Sequence, residues 1–300
     1  MKPNISLNNF AGVVVKKNNI DNIVIFTIDS VFSTIYLQAL LPKIHKNVSL
    51  ICISERYGEK YGSLSDQVIE HIKDSGLKYS NYMAAIYLYH IPIIIMLNLI
   101  AKVFRFKHQN MLITQMAKKY NIPLIKVNDV NNEKFEKKLK EIQPDIIISA
   151  YFDQIMKEHI FALPKFGTVN FHPGYLPDFP GPSATFWAMK NEGKVGSTLH
   201  YVDAGIDTGN VILRSSVEKG KATSVIGMDY EVFSKGAVNT LTVLNDIEMD
   251  QVKHFSQEKG GSYYSFPKTQ DVSDAINNNL HLIKFWEYMR FFRAPEPKDL

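Results

Sequence analysis

The sequence predicts an α/β protein built on a doubly wound, mostly parallel Rossmann-like sheet, with a helical insert and a short C-terminal extension. Three observations lead there. The runs 20–28, 48–54 and 146–150 are rich in Ile and Val without strict alternation, as strands buried on both faces are. The first two are separated by one helix length of chain, giving a strand–helix–strand opening. Polar residues suited to chemistry then gather at the ends of later strands, where an open α/β sheet places its ligand site.

Taken in order, Ile20 to Ile28 is the first strand, and Asp29-Ser30 caps a helix expected to run to Leu41 and stop at Pro42. Val48 to Ser54 is the next parallel strand. Met111 to Tyr120 is predicted as a helix, Pro123 to Val127 as a strand, and Asn131 to Ile142 as a charged helix. Pro144-Asp145 leads into the strand Ile146 to Ala150. After a strand at Thr168 to His172 come further strands at Ser197 to Val202 and Val211 to Arg214. Ser224 to Ile247 then reads as a long helix with Val225, Met228, Val232, Phe233, Val238, Leu241 and Leu244 on its apolar side. The turn-rich segment 260–267 is aromatic, and the stretch to Arg293 reads as a peripheral helix followed by an acidic, proline-containing tail. Residues 1–215 are thus expected to form the core, interrupted by an insert at about 62–108, and 216–300 a helical extension packed on it.

Bulk properties narrow the functional classes. With 45% hydrophobic and 21% charged residues, the 300-residue chain can bury a substantial core. A net charge of +4 suits an anionic substrate without pointing to nucleic acid. The single cysteine, Cys52, lies in an apolar strand and reads as a buried thiol in a reducing compartment. The opening Met1-Lys2-Pro3-Asn4-Ile5-Ser6 has no apolar core of the secretory kind, so a cytoplasmic protein is expected. No Cys/His cluster has zinc spacing, and no Walker loop is visible. Where a dinucleotide fold carries glycines after its first strand, this chain has Thr27-Ile28-Asp29-Ser30, which disfavours a nicotinamide cofactor.

Residues 82–101 hold no formal charge and are followed by Lys102, Arg105 and Lys107. At ~1.5 Å per residue such a helix nearly matches a bilayer. A span, however, would put the strands before and after it on opposite sides of the membrane. A buried or oligomer-forming helix, a homodimer among the options, is therefore the first expectation, and a helix docked peripherally on the inner membrane face, with its basic residues toward lipid phosphate, the second.

The densest chemistry lies in 166–177 and 200–209. Asn170 and His172 are two apart on a strand and project from one face, and Pro173-Gly174 ends that strand abruptly. The loop after the next strand brings two carboxylates, Asp203 and Asp207, around Gly205. An imidazole beside a carboxylate is oriented and kept protonated, and an amide donates to a developing oxyanion. The set suits attack on a carbonyl carbon.

These motifs, with Leu176-Pro177, the segment Ala150 to Met156 and the order in which they occur, resemble the folate-dependent formyltransferase family of glycinamide-ribonucleotide, methionyl-tRNA and amino-sugar enzymes. The resemblance implies 10-formyltetrahydrofolate as formyl donor, a primary amine as acceptor, and no metal. It implies catalytic roles for Asn170, His172 and Asp207, the Asp before Thr-Gly being the family's catalytic one. Phe152, Gln154, Ile155, Met156, Leu176 and Pro177 would contact the folate, with Asp203, Ala204 and Gly205 shaping its loop. Phe179 to Ser183 would flank the acceptor, and Tyr263, Tyr264 and Phe266 either stack on a sugar or base or cover a core edge. The many-stranded barrel of the tRNA enzymes has no counterpart after residue 250, so a nucleotide-linked amino sugar is the expected acceptor. A methionyl-tRNA-type activity, a formyltetrahydrofolate hydrolase and a membrane-docked scaffold without activity are the alternatives.

Overall fold

In the computed structural model the described residues are 18–55, 63–105, 110–218, 220–257 and 262–293. The opening six residues, Lys107, Gly260, Gly261 and the acidic tail fall outside them.

One seven-stranded sheet organises the molecule, in the order β3-β2-β1-β4-β5-β6-β7. β1 (Ile23–Ile28), β2 (Val48–Ser54), β3 (Leu124–Val127), β4 (Ile146–Ala150) and β5 (Thr168–His172) run parallel; β6 (Gly196–Tyr201) and β7 (Val211–Ser216) return antiparallel. β1, β2 and β4 are buried almost throughout, which is why their sequences carry apolar residues at consecutive positions. The strand order reverses between β1 and β4, opening a crevice beyond their carboxyl ends.

The helices are α1 (Val31–Ile44), α2 (Leu64–Tyr87), α3 (His90–Phe104), α4 (Ile113–Lys119), α5 (Glu133–Ile142), α6 (Glu158–Phe161), α7 (Ala184–Lys190), α8 (Val225–Glu248), α9 (Thr269–Asn277) and α10 (Phe285–Tyr288). Ser30 caps α1 by accepting from Ser33 N–H. Pro42 does not stop α1, which continues to Ile44. On the face of the sheet where α1 packs on α8, Tyr36 and Thr240 hydroxyls meet at 2.6 Å among Leu37, Phe233 and Ala237. α8 turns Gly236, Ala237, Thr240 and Val243 inward, while Val238 and Leu241 are only half-buried. The predicted apolar stripe is thus rotated in its second half, because small residues let the helix approach the sheet closely: a Cβ on Gly236 would stand 2.0 Å from the Phe171 ring. A second core, with Phe26, Phe135, Leu139 and Ile160, fills the other face.

The 82–101 stretch is not one helix. It is broken between Tyr87 and His90, and α2 and α3 meet at 45°. Among the described residues, no single helix is long and apolar enough to cross a membrane. Nor is the insert an appendage: Tyr79, Tyr82, Ala85 and Ile86 of α2 are buried in the main core. α2 itself bends at Gly76, whose φ of +78° is a conformation that side chains rarely adopt and whose missing Cβ leaves room for Thr269 of α9.

Candidate active site

A cavity of about 680 Å³ lies beyond the carboxyl ends of β1, β4 and β5, at the crevice where the strand order reverses. Its size suits a drug-sized ligand. Asn170, His172, Asp207, Phe152, Gln154, Ile155, Met156, Asp203 and Gly205 line it, so most of the residues singled out in the sequence converge on one space. Leu176, Pro177 and Ala204 are not among its lining residues. Leu176 is fully buried, its N–H donating to Thr198 Oγ1, and the cis Leu176–Pro177 bond lies in the turn that carries the chain out of β5. Ala204 lies exposed in the 203–209 loop.

The centre is built by pairing β5 with β6. Asn170 stands opposite His200 in that register, and its Nδ2 donates to His200 Nε2 at 3.1 Å. His200 Nδ1 is 2.9 Å from the Tyr201 carbonyl, and its Nε2 faces both Asn170 and Asp207. His172 Nε2 lies 2.8 Å from the Phe179 carbonyl and so carries a proton, while its Nδ1 faces Asp207 at 3.5 Å. Asp207 thus sits between two imidazoles, His200 being 3.7 Å from its other oxygen, and takes the Gly181 N–H at 2.9 Å. Burial by itself would raise its pKa, but the charge of His172, the His200 ring and the Gly181 N–H outweigh it. They hold the carboxyl well below the usual carboxylate range.

The surrounding loops are tied by their own side chains. Asp203 accepts from Gly205 N–H and Thr208 Oγ1, so it shapes the loop, and Gln257 Nε2 donates to the Asp207 and Gly209 carbonyls from across the cavity rim. Gln154 uses its whole amide as a strap: Nε2 donates to Ser54 Oγ and the Val127 carbonyl, and Oε1 accepts from Val130 N–H. Its side chain is therefore committed to protein, and the mouth of the cavity is offered by Ile155, Phe152 and Val202. Met156 is largely buried in the second core. Gly181, at φ +100°, lies so close to the Tyr264 carbonyl that a Cβ would meet it at 2.3 Å. Tyr263 and Phe266 line the cavity, whereas Tyr264 packs on Phe179 and Trp187.

Sequence reasoning gave no role to His200, although the alternation that pairs Thr168–His172 with the next strand carries the signal. It also missed the wall formed by Tyr79, Tyr82, Met83, Ile86 and Tyr87 of α2, and Asp229 of α8, which all line the cavity.

Sheet order, crevice and converging polar groups define an open-sheet α/β protein with its ligand site at the switch point. Residues 98–227, which contain the whole polar centre, match the sequence model of the formyl transferase family. Over that stretch the chain is similar to the formyltransferases. It is 30% identical over 136 residues to the methionyl-tRNA formyltransferase of Desulforamulus reducens, covering 45% of this chain and 43% of that one. The chain spans about half the length of the curated relatives it matches. In fold it is similar to a sugar N-formyltransferase from a Shewanella species, at a TM-score of 0.52 and 14% identity over 93% of this chain and 90% of that one. It is likewise similar to the N-formyltransferase of Helicobacter canadensis in complex with folinic acid and dTDP-3-aminofucose. That match has a TM-score of 0.50 and 19% identity, over 91% of this chain and 81% of that one.

Proposed function

We propose that the chain transfers a formyl group from 10-formyltetrahydrofolate to a primary amine borne by a nucleotide-linked amino sugar. The observation that carries the reaction is the convergence of Asn170, His172 and Asp207 on one cavity, with Asp207 held ionised between two imidazoles. The residues present fit a folate: Phe152, Ile155 and Val202 supply apolar contact at the mouth, and the strapped 152–157 loop supplies backbone groups. Bound there, the folate supplies the activated formyl carbon.

The acceptor nitrogen adds to that carbon, and the carbonyl π pair moves to oxygen. Asn170, with one N–H spent on His200, has the other to donate to this oxyanion. His172, whose protons go to Phe179 and Asp207, contributes positive charge. Asp207 carries the proton from the attacking nitrogen to the leaving folate nitrogen, directly or through water, as the old C–N bond breaks.

The sugar acceptor is supported by fold neighbours that are named as sugar N-formyltransferases. The methionyl-tRNA relatives are the source of the second reading, a tRNA acceptor. Turnover of 10-formyltetrahydrofolate against dTDP- and UDP-linked 3- and 4-amino sugars and initiator methionyl-tRNA separates them, and release of free formate identifies a hydrolase. His172→Ala and Asp207→Asn should lose at least ~10²-fold in kcat, and Asn170→Ala should do so while keeping its affinity for folate. Near-normal rates in folded variants contradict the mechanism.

We also propose a peripheral contact between α3 and an anionic lipid surface. Only His90, Ile94 and Ala101 of this helix are buried, while Ile95, Met96, Leu99, Val103 and Phe104 face outward, the last two 65% and 73% exposed. Lys102 and Arg105 stand at its carboxyl end, in place to meet lipid phosphate. Tyr288 donates to the Ala85 carbonyl, which brings α10, with its exposed Phe285 and Trp286, to the α2 side of the same region.

A further inference from the structure

A second group of side chains lining the cavity comes from α2, α7 and α8, and the transfer mechanism uses none of it. Asp229 and Phe233 lie one turn apart on α8 and both line the cavity. Asp229 is almost wholly buried, and Tyr82 of α2 donates to its Oδ2 at 2.6 Å. Thr185 of α7 stands beside the same carboxyl. Its hydroxyl is buried and bears on that carboxyl. Tyr79 and Ser183 hydroxyls bond each other across the wall. Phe32 and Phe233, stacked at 4.6 Å, and Tyr151, edge-on to both, complete an aromatic surface.

This is an unusual place for a carboxyl. The groups acting on it are the Tyr82 and Thr185 hydroxyls, no cation among them, and burial drives its pKa up to about 7. An asparagine would anchor Tyr82 as well without the cost of burying an acid. A buried acid with no cation beside it and a buried hydroxyl next to it, both on a cavity wall, retain hydrogen-bonding capacity for a ligand. The wall is also joined to the reaction centre. Gly181 N–H holds Asp207, while Ser183 and Thr185, two and four residues on, face the chamber.

We propose that this chamber is the acceptor subsite, in which Asp229 and Thr185 take a ring hydroxyl of the amino sugar and the Phe32, Tyr151 and Phe233 surface covers the apolar face of the pyranose. The carboxyl accepts from the sugar hydroxyl, Thr185 donates to it, and the aromatic rings meet its C–H face. The part of the chain that forms one wall, α2, belongs to the insert, so acceptor choice in this protein is written partly in the insert. The proposal rests on the reading of the site as a sugar N-formyltransferase.

Its test uses the full chain, the dTDP- or UDP-linked amino sugar that the unmodified protein formylates best, and the matching ring-deoxy sugars. Asp229→Asn and Thr185→Val should each raise the acceptor KM by ~10-fold or more while kcat moves by less than ~3-fold. Affinity for 5-formyltetrahydrofolate, measured by calorimetry, should stay as it is. One deoxy sugar should lose the same factor in kcat/KM with the unmodified protein and lose nothing further with Asp229→Asn, a coupling that a merely structural carboxyl would not show. Folded variants with unmoved acceptor KM, or a deoxy penalty that is equal in all three proteins, overturn the subsite while leaving the formyltransferase reading intact. If the unmodified protein formylates no sugar of the panel, the acceptor class falls and the subsite falls with it.

Discussion

Two of the carboxyls that line the cavity are pushed in opposite directions by their neighbours. Asp207 has two imidazoles and a backbone N–H around it and stays ionised; Asp229 has only hydroxyls and holds its proton up to about pH 7. The consequence for stability has a definite sign. Between the unfolded value near 3.8 and about 7, folded Asp229 binds a proton that the unfolded chain has released. Its contribution is therefore complete below pH ~4 and declines as pH rises through 7, by roughly 4 kcal/mol at most. Denaturant titrations from pH 4 to pH 8 should show this decline in the unmodified protein, and Asp229→Asn should flatten it; an identical slope in both contradicts the assignment. Asp207 acts oppositely, its contribution standing above pH ~4 and lost on acidification. Only one of the two was legible in the sequence. Asp207 precedes Thr-Gly in a loop after a strand, a local pattern. Asp229 is an ordinary helix residue until Tyr82, 147 positions earlier, is brought to it. His200 falls between these cases: strand alternation placed it, but its work depends on which strand pairs with β5.

At the level of elements, the strands were the most legible. β2, β4 and β5 have the predicted ends, because consecutive buried positions leave a run that local residues terminate. α2 and α3 were not, since an apolar run is the same string of letters whether it faces a core, a cavity or the outside. α2 spends its apolar residues on the core and the cavity wall, whereas α3 leaves most of its own uncovered. Pro92 falls in the first turn of α3, where a missing N–H is tolerated, so the break lies before it, at Leu88-Tyr89. The expected outcome for α3 is flotation of the protein with vesicles containing phosphatidylserine at low salt, weakened at high salt. Leu99→Glu with Phe104→Glu should abolish it, and Lys102→Glu with Arg105→Glu should reduce it. Protein that stays unbound yet elutes as a dimer, and as a monomer after Leu99→Glu, assigns the face to a second copy instead.

Across the whole molecule, residues on either side of position 215 share packed structure. α8 contributes Val225, Met228, Val232 and Phe233 to the main core, and Val211 of β7 pairs with Phe255. A chain ending at residue 215 should therefore lack a cooperative thermal transition and near-ultraviolet dichroism, whereas the full chain should show both. Cooperative melting of the shorter chain would mean that residues 1–215 fold independently. The resemblance read from the sequence ends near residue 215, but α8, beyond that point, packs on β6, before it, and on β7, across it.

One contact described above sets an order of events in time. Asn170, His172 and Asp207 have all been synthesised by residue 207, but the amide that grips the 203–209 loop belongs to Gln257. A nascent chain consequently carries, fifty residues before the amide that ties that loop has been added, the three side chains proposed to react.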